Sequence, residues 1–210
     1  MATLIQTWLN FALQQMAAES YLDQVLSGRS LVEVLTNGNN NEDIIPVDQF
    51  TGKTRFADLT GVANASQITG SAQAFDARYA IVDHHANDAS GFSATLLFDT
   101  QTNSYTLSFR STEYRDPSQG GDFERDGTSG ADGEIFSNGF AFGQLAAMEQ
   151  YYADLKASGA LPAGAILNVT GYSLGGHLAT VFTELHATEI QHTYTFNGPG
   201  RGIVTGISGQ

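Results

Sequence analysis

One stretch limits what this chain can fold into more than any other. Ala165, Ile166, Leu167, Asn168 and Val169 form a short apolar, β-branched run of the kind that makes a buried strand, and from Leu178 to His186 apolar residues recur at helical spacing. Between the two lie Gly171, Tyr172, Ser173, Leu174 and Gly175, a G-x-S-x-G motif centred on Ser173. A sharp strand-to-helix turn holds such a serine in a strained backbone conformation that only small flanking residues allow, and lifts its Oγ clear of the sheet. Gly171 and Gly175 supply that room, and the helix that starts after the serine aims its free N–H groups and positive end at the place where an oxyanion would form. The motif also arises by chance in glycine-rich chains, and this one has 23 Gly. The strand before it and the helix after it supply the context the motif requires.

The rest of the chain suits one sizeable core. At 210 residues the length favours a single domain over residues 1–210, with a helical N-terminal region (1–70) and a region carrying the sheet and the elbow (71–210). The formal net charge of −13 argues against nucleic acid and against electrostatic docking on anionic bilayers. With no cysteine there are no disulfides and no thiol catalysis. The first residues lack the basic start and compact apolar core of a secretory signal, and no apolar run is long enough to cross a membrane.

In chain order, Leu4, Trp8, Phe11, Met16, Leu22, Val25 and Leu26 predict one long amphipathic helix over residues 3–26, capped by Thr3 and ended at Gly28. The absence of Lys and Arg before Arg29 favours packing on the domain over an interfacial membrane role. A short helix over 29–35 follows, then a polar break at 37–41 and a weakly patterned region with a helix starting near Asp58. Ala74, Phe75 and Tyr79 fit a helix running into a strand at 81–85. Residues 91–98 and 104–110 alternate apolar and polar around a turn, which predicts a strand, a turn and a strand. A loop rich in Gly and Asp (117–133) leads into a helix over 136–157, ended by Gly159 and Pro162, and a last strand covers 192–196. A hairpin followed by strand, helix, strand, helix and strand reads as an α/β sheet covered by helices.

Several blocks in order now resemble a family: Gly91 to Leu96; Tyr105 to Glu113; Ala131, Asp132, Gly133, Glu134 and Ile135; the Ser173 elbow; and Tyr194 to Gly200. Together they resemble the class 3 lipases, and most closely the bacterial lipase and phospholipase A1 branch, many of whose members leave the cell by type I secretion. The resemblance implies an α/β-hydrolase fold with an N-terminal helical segment, secretion without a cleaved N-terminal signal, and serine-based hydrolysis of lipid esters with no cofactor. It implies only transient contact with a membrane or lipid interface. Carried over residue by residue, it makes Ser173 the nucleophile, and Thr112, in the triplet Arg110, Ser111, Thr112, an oxyanion-hole residue beside the backbone N–H of Leu174. Two positions depart from the family pattern. Tyr172 stands where the residue before the nucleophile is usually His, and Ser111 stands where the triplet usually has Gly.

A larger departure concerns the rest of the triad, for which the family order is Ser, then Asp, then His. No Asp follows Ser173, and His177, His186 and His192 are poorly placed to be its base. The sequence therefore predicts the N-terminal part of a lipase domain, incomplete at its C-terminus, with Asp and His on sequence outside this chain and a second polypeptide fragment completing the fold. Two alternatives stay open: a catalytically inactive, lipase-like binding module, and a serine esterase of non-lipid specificity. Asp122, Glu124, Asp126 and Gly127 have calcium-loop spacing, but the twelfth position, where a Glu is needed, is Gly133. The run reads as a solvated loop near the site, with a bound calcium ion as the alternative. Phe136, Phe140 and Phe142 fit either a lid or acyl pocket, or a buried helix face.

Overall fold

The computed structural model describes residues 3–37, 65–112, 123–127 and 130–200. Among the described residues four helices precede the sheet: α1 (Leu4–Ala18), α2 (Asp23–Leu26), α3 (Leu31–Asn37) and α4 (Ala65–Asp76). Strands β1 (Tyr79–His85), β2 (Ala94–Asp99) and β3 (Ser104–Phe109) follow, then helices α5 (Phe123–Asp126), α6 (Ala131–Asn138) and α7 (Phe142–Ser158). The chain continues with β4 (Leu167–Tyr172), α8 (Leu174–Leu185) and β5 (Ile190–Phe196). The helix expected near Asp58 lies outside the described residues.

The five strands form one sheet in the order β1-β2-β3-β4-β5. The first three run antiparallel as a meander, and β3, β4 and β5 run parallel, each parallel step bridged by helical crossovers. This is the α/β sheet covered by helices that the sequence predicts. Strand alternation gives the sheet two unlike faces. Leu107 and Phe109 of β3 and Leu167 and Val169 of β4 pack against Met148, Tyr151, Tyr152 and Leu155 of α7 and Leu178 and Phe182 of α8, forming the main apolar core. On the other face Thr95, Thr106, Ser108, Asn168 and Thr170 are all buried, with α1 lying across β3 and β4. A second apolar cluster joins Met16 and Ala17 of α1 to Leu31, Leu35, Phe75, Tyr79 and Leu97.

Two predicted helices are broken. The apolar periodicity of residues 3–26 runs through a turn, because α1 stops at Ala18 and Glu19 and Ser20 are wholly buried before α2 begins. The helix expected over 136–157 is two helices. Gly139, at φ 87°, ends α6 in the left-handed conformation that glycine adopts without strain, and α7 starts three residues later. Packing on the domain also accounts for only half of α1. Phe11 and the residues from Gln14 onward are buried, and Phe11 stacks on Tyr194 of β5 at 4.1 Å, whereas Leu4, Ile5 and Trp8 are exposed.

Candidate active site

Strand β4 ends at Tyr172 and α8 begins at Leu174, so Ser173 alone makes the turn. Its backbone sits at φ 51°, ψ −122°, a region that L residues occupy only under strain of about 1–3 kcal/mol. Its amide donates to the Phe196 carbonyl at 3.0 Å, and its own carbonyl accepts from Gly176 N–H at 2.8 Å. The strain is therefore held from both the neighbouring strand and the helix. Ser173 Oγ does not cap the helix and bonds to none of the described residues. The first N–H groups of α8, Leu174 among them, have no partner inside the helix.

The elbow is packed backbone to backbone. A Cβ on Gly171 would overlap the Gly175 carbonyl, and one on Gly175 would overlap the Phe109 carbonyl and lie 2.8 Å from that of Arg110. One on Gly176 would lie 2.7 Å from Gly198 Cα. These clashes show why the motif needs glycine where it has it, and they wedge the start of α8 onto the end of β3. Parallel pairing sets Phe109 against Gly171. Ser173 and Thr112 thus leave the same edge of the sheet, two and three residues beyond a paired position. Arg110, Ser111 and Thr112 are all buried there. Leu174 is buried against Ala131, Ile135 and Ala141, so α6 roofs the elbow. Tyr172, at the end of β4, is half-buried.

All five histidines fall within the described residues, and none has its ring bonded to Ser173 Oγ; His177 meets Ser173 only through its backbone N–H, which donates to the Ser173 carbonyl at 3.3 Å. His177, one turn into α8, is fully buried; its Nδ1–H donates to the Gly200 carbonyl at 2.5 Å and its Nε2 accepts from Ala141 N–H at 3.3 Å. Burial holds its pKa below the usual histidine value, against the opposing pull of the Gly200 bond and of Asp132. With both nitrogens engaged, this ring ties the two loops flanking the elbow. His186 lies beyond the far end of α8, about 20 Å along the helix axis from the serine, and bonds to Glu149 at 2.9 Å. His192 is exposed near the start of β5, at that same far edge. His84 and His85 end β1, three strands or about 14 Å from β4. The former bonds to Thr95 at 2.9 Å and the latter to Asp88 at 3.2 Å.

Two sequence expectations change here. Asp126, expected in a solvated loop, is buried and accepts from the Gln144 amide. Asp122 lies outside the described residues, and among the described ones no cluster of His, Asp and Glu could hold a metal ion. A buried helix face does not explain Phe136 and Phe142, which are 90% and 56% exposed. Phe140 lies 5.9 Å from Phe142 and 6.1 Å from the His177 ring, which places these aromatics beside the first turn of α8. Sequence reasoning also missed Gln15 and Glu19, whose side chains reach the 108–111 segment. The only sequence signal was two polar residues, four apart, on the apolar stripe of a helix.

The fold has solved counterparts. The chain superposes on lipase II from Rhizopus niveus over 96% of its own length and 65% of that chain, with a TM-score of 0.50 and 16% identity. It superposes on the lipase from Rhizopus microsporus var. chinensis over 95% of its length and 60% of that chain, with a TM-score of 0.52 and 14% identity. The fold is of the lipase type. More closely, it is a class 3 lipase-like α/β-hydrolase sheet, and the chain spans less than two thirds of the length of either lipase. At these identities the likeness speaks to the fold. No family model matches the chain, and neither does any curated protein. Within the lipase-type sheet, Ser173 and the 110–112 segment stand at the C-terminal ends of adjacent parallel strands, where α/β folds gather their ligands.

Proposed function

We propose that this chain is the nucleophile-bearing part of a serine carboxylic ester hydrolase that acts on lipids, as a triacylglycerol lipase or phospholipase A1. The observation that carries the reading is the strained Ser173 at φ 51°, ψ −122° between β4 and α8, its Oγ bonded to none of the described residues and the helix N-terminus behind it. In this chemistry Ser173 Oγ adds to the ester carbonyl carbon as its proton passes to a base. The carbonyl oxygen takes up the negative charge, faced by Leu174 N–H and by Thr112. Collapse expels the alcohol with the proton from the base, leaving an acyl group on Ser173, and water then releases the acid. No step uses a cofactor.

None of the chain's histidine rings is bonded to Ser173 Oγ, so the proposal places the acid and base, Asp and His, on sequence outside these 210 residues. A second polypeptide segment also fits the surface. Among the described residues strand β5 is paired only with β4, and beside it, past the Phe11–Tyr194 stack, lie exposed Leu4, Ile5 and Trp8. An unpaired edge next to apolar side chains is an association site. Phe136 and Phe142 present apolar surface beside the elbow to a lipid interface, which the protein touches transiently. No helix among the described residues is long and apolar enough to cross a membrane. Membership of the bacterial branch and export by the type I route complete the proposal.

In the ester-hydrolysing protein, Ser173→Ala abolishes turnover of long-chain lipid esters while leaving the fold intact; retained turnover overturns the proposal. Turnover confined to short soluble esters favours the esterase of non-lipid specificity. The isolation of all five histidines favours a second reading, an inactive lipase-like binding module, and its signature is lipid binding without turnover.

A further inference from the structure

Near the C-terminal end of α1 two buried polar side chains lie one helical turn apart, Gln15 on the helix and Glu19 at its C-cap, 1% and 0% exposed. Both reach the segment that leads from β3 to Thr112. Ser108 Oγ donates to Gln15 Oε1 at 2.7 Å, and Gln15 Nε2 donates to the Phe109 carbonyl at 2.9 Å and to Glu19 Oε1 at 2.8 Å. The Glu19 carboxylate then takes Ser111 from two sides. Ser111 N–H donates to Oε1 at 3.0 Å and Ser111 Oγ donates to Oε2 at 2.6 Å. The Gln15 amide thus uses both its protons and its oxygen, and both carboxylate oxygens are engaged. The 2.6 Å bond is of the short, charge-assisted kind. Beyond Phe109 the β3–β4 ladder stops, so residues 110–112 need other anchors; Arg110 N–H finds the Ser93 carbonyl at 3.1 Å, and Ser111 finds Glu19.

A buried carboxylate is costly unless its bonds are made, and an apolar side chain at position 19 would serve packing alone more cheaply. We infer that Glu19, buttressed by Gln15, is a positioning residue: it fixes the backbone at Ser111 and thereby sets the oxyanion-stabilising group at Thr112 against the elbow. The inference rests on the proposed ester hydrolysis. An oxyanion donor works only when it already points where charge develops, and losing one costs about 10²–10³ in kcat.

The test uses the ester-hydrolysing protein and p-nitrophenyl butyrate, with Ser173→Ala as the control. Glu19→Ala lowers kcat about 100-fold with KM nearly unchanged. Glu19→Gln restores kcat to within about twofold of the parent, because its Oε1 still accepts from Ser111 N–H and its Nε2 can donate to Ser111 Oγ. Ser111→Ala, which keeps only the backbone bond, lowers kcat several-fold. Circular dichroism and thermal melting establish that each variant is folded. If Glu19→Ala does not fold, a kcat loss in Ser111→Ala that exceeds the loss in Glu19→Gln supports the inference, and its absence overturns it. Unchanged kcat in folded Glu19→Ala and Ser111→Ala, alongside turnover that depends on Ser173, overturns this inference alone. If the parent protein shows no turnover that depends on Ser173, the proposed function falls and this inference with it.

Discussion

Gly171 and Gly175 touch backbone to backbone across the elbow, so closely that a Cβ on Gly171 would overlap the Gly175 carbonyl oxygen. The neighbouring atoms are main chain and cannot swing aside. Gly171→Ala and Gly175→Ala should therefore each destabilise the fold by about 3 kcal/mol or more, or prevent folding, as severe core overpacking does. Gly143→Ala is the control. It lies in the first turn of α7 where, among the described residues, only Ser90 Cβ is near a new Cβ, at 3.9 Å, and should be neutral or slightly stabilising. Urea denaturation of the three variants checks the contrast.

The elbow was legible in the sequence because everything it needs is local: a β-branched run, two glycines around a serine, and helical spacing directly after. The breaks in the two predicted helices were less so. Gly139 sat inside an otherwise apolar helical pattern, and only its left-handed conformation shows that it ends α6. The turn after Ala18 has no Gly or Pro to mark it, because what draws Glu19 inward is Ser111, far along the chain. Alternation in β3 was visible, but its meaning was not. Thr106 and Ser108 would ordinarily mark a face turned to water, whereas here that face is buried and Ser108 is bonded to Gln15. Partners set by tertiary structure leave no local trace.

Exposed aromatics beside the elbow lead to a prediction about substrate form. Phe136→Ser and Phe142→Ser should reduce hydrolysis of emulsified long-chain ester by about tenfold for the pair, roughly the transfer energy of one partly buried aromatic. Turnover of a soluble short-chain ester should stay within about twofold, since neither side chain supports the core. Equal losses on both substrates would place the two residues in the acyl pocket rather than at an interface.

Acid should weaken the fold through His84. Burial, with Arg110 and His85 adding to it, drives its pKa from the ordinary 6.5 down to about 3. Between those values the unfolded chain binds a proton that the folded chain refuses. The contribution is therefore fully present above about pH 6.5 and is lost progressively as pH falls toward 3. His177, also lowered by burial, acts in the same direction. Substituting His84→Gln, which keeps a partner for Thr95, should reduce the loss of unfolding free energy between pH 7 and pH 4.5 by about 2 kcal/mol. Parallel pH profiles for the two proteins would show that His84 is not the group responsible.

At the centre of the account is an activated Ser173 whose base lies outside these 210 residues, and covalent labelling tests both parts. Two samples are treated with a fluorophosphonate and mapped by peptide mass spectrometry: the ester-hydrolysing protein, and residues 1–210 purified free of any other polypeptide. The account predicts one adduct, on Ser173, in the first sample and none in the second, because a serine hydroxyl without a neighbouring base is a poor nucleophile at neutral pH. An adduct on any other residue, no adduct in the first sample, or rapid labelling of Ser173 in residues 1–210 alone would contradict it.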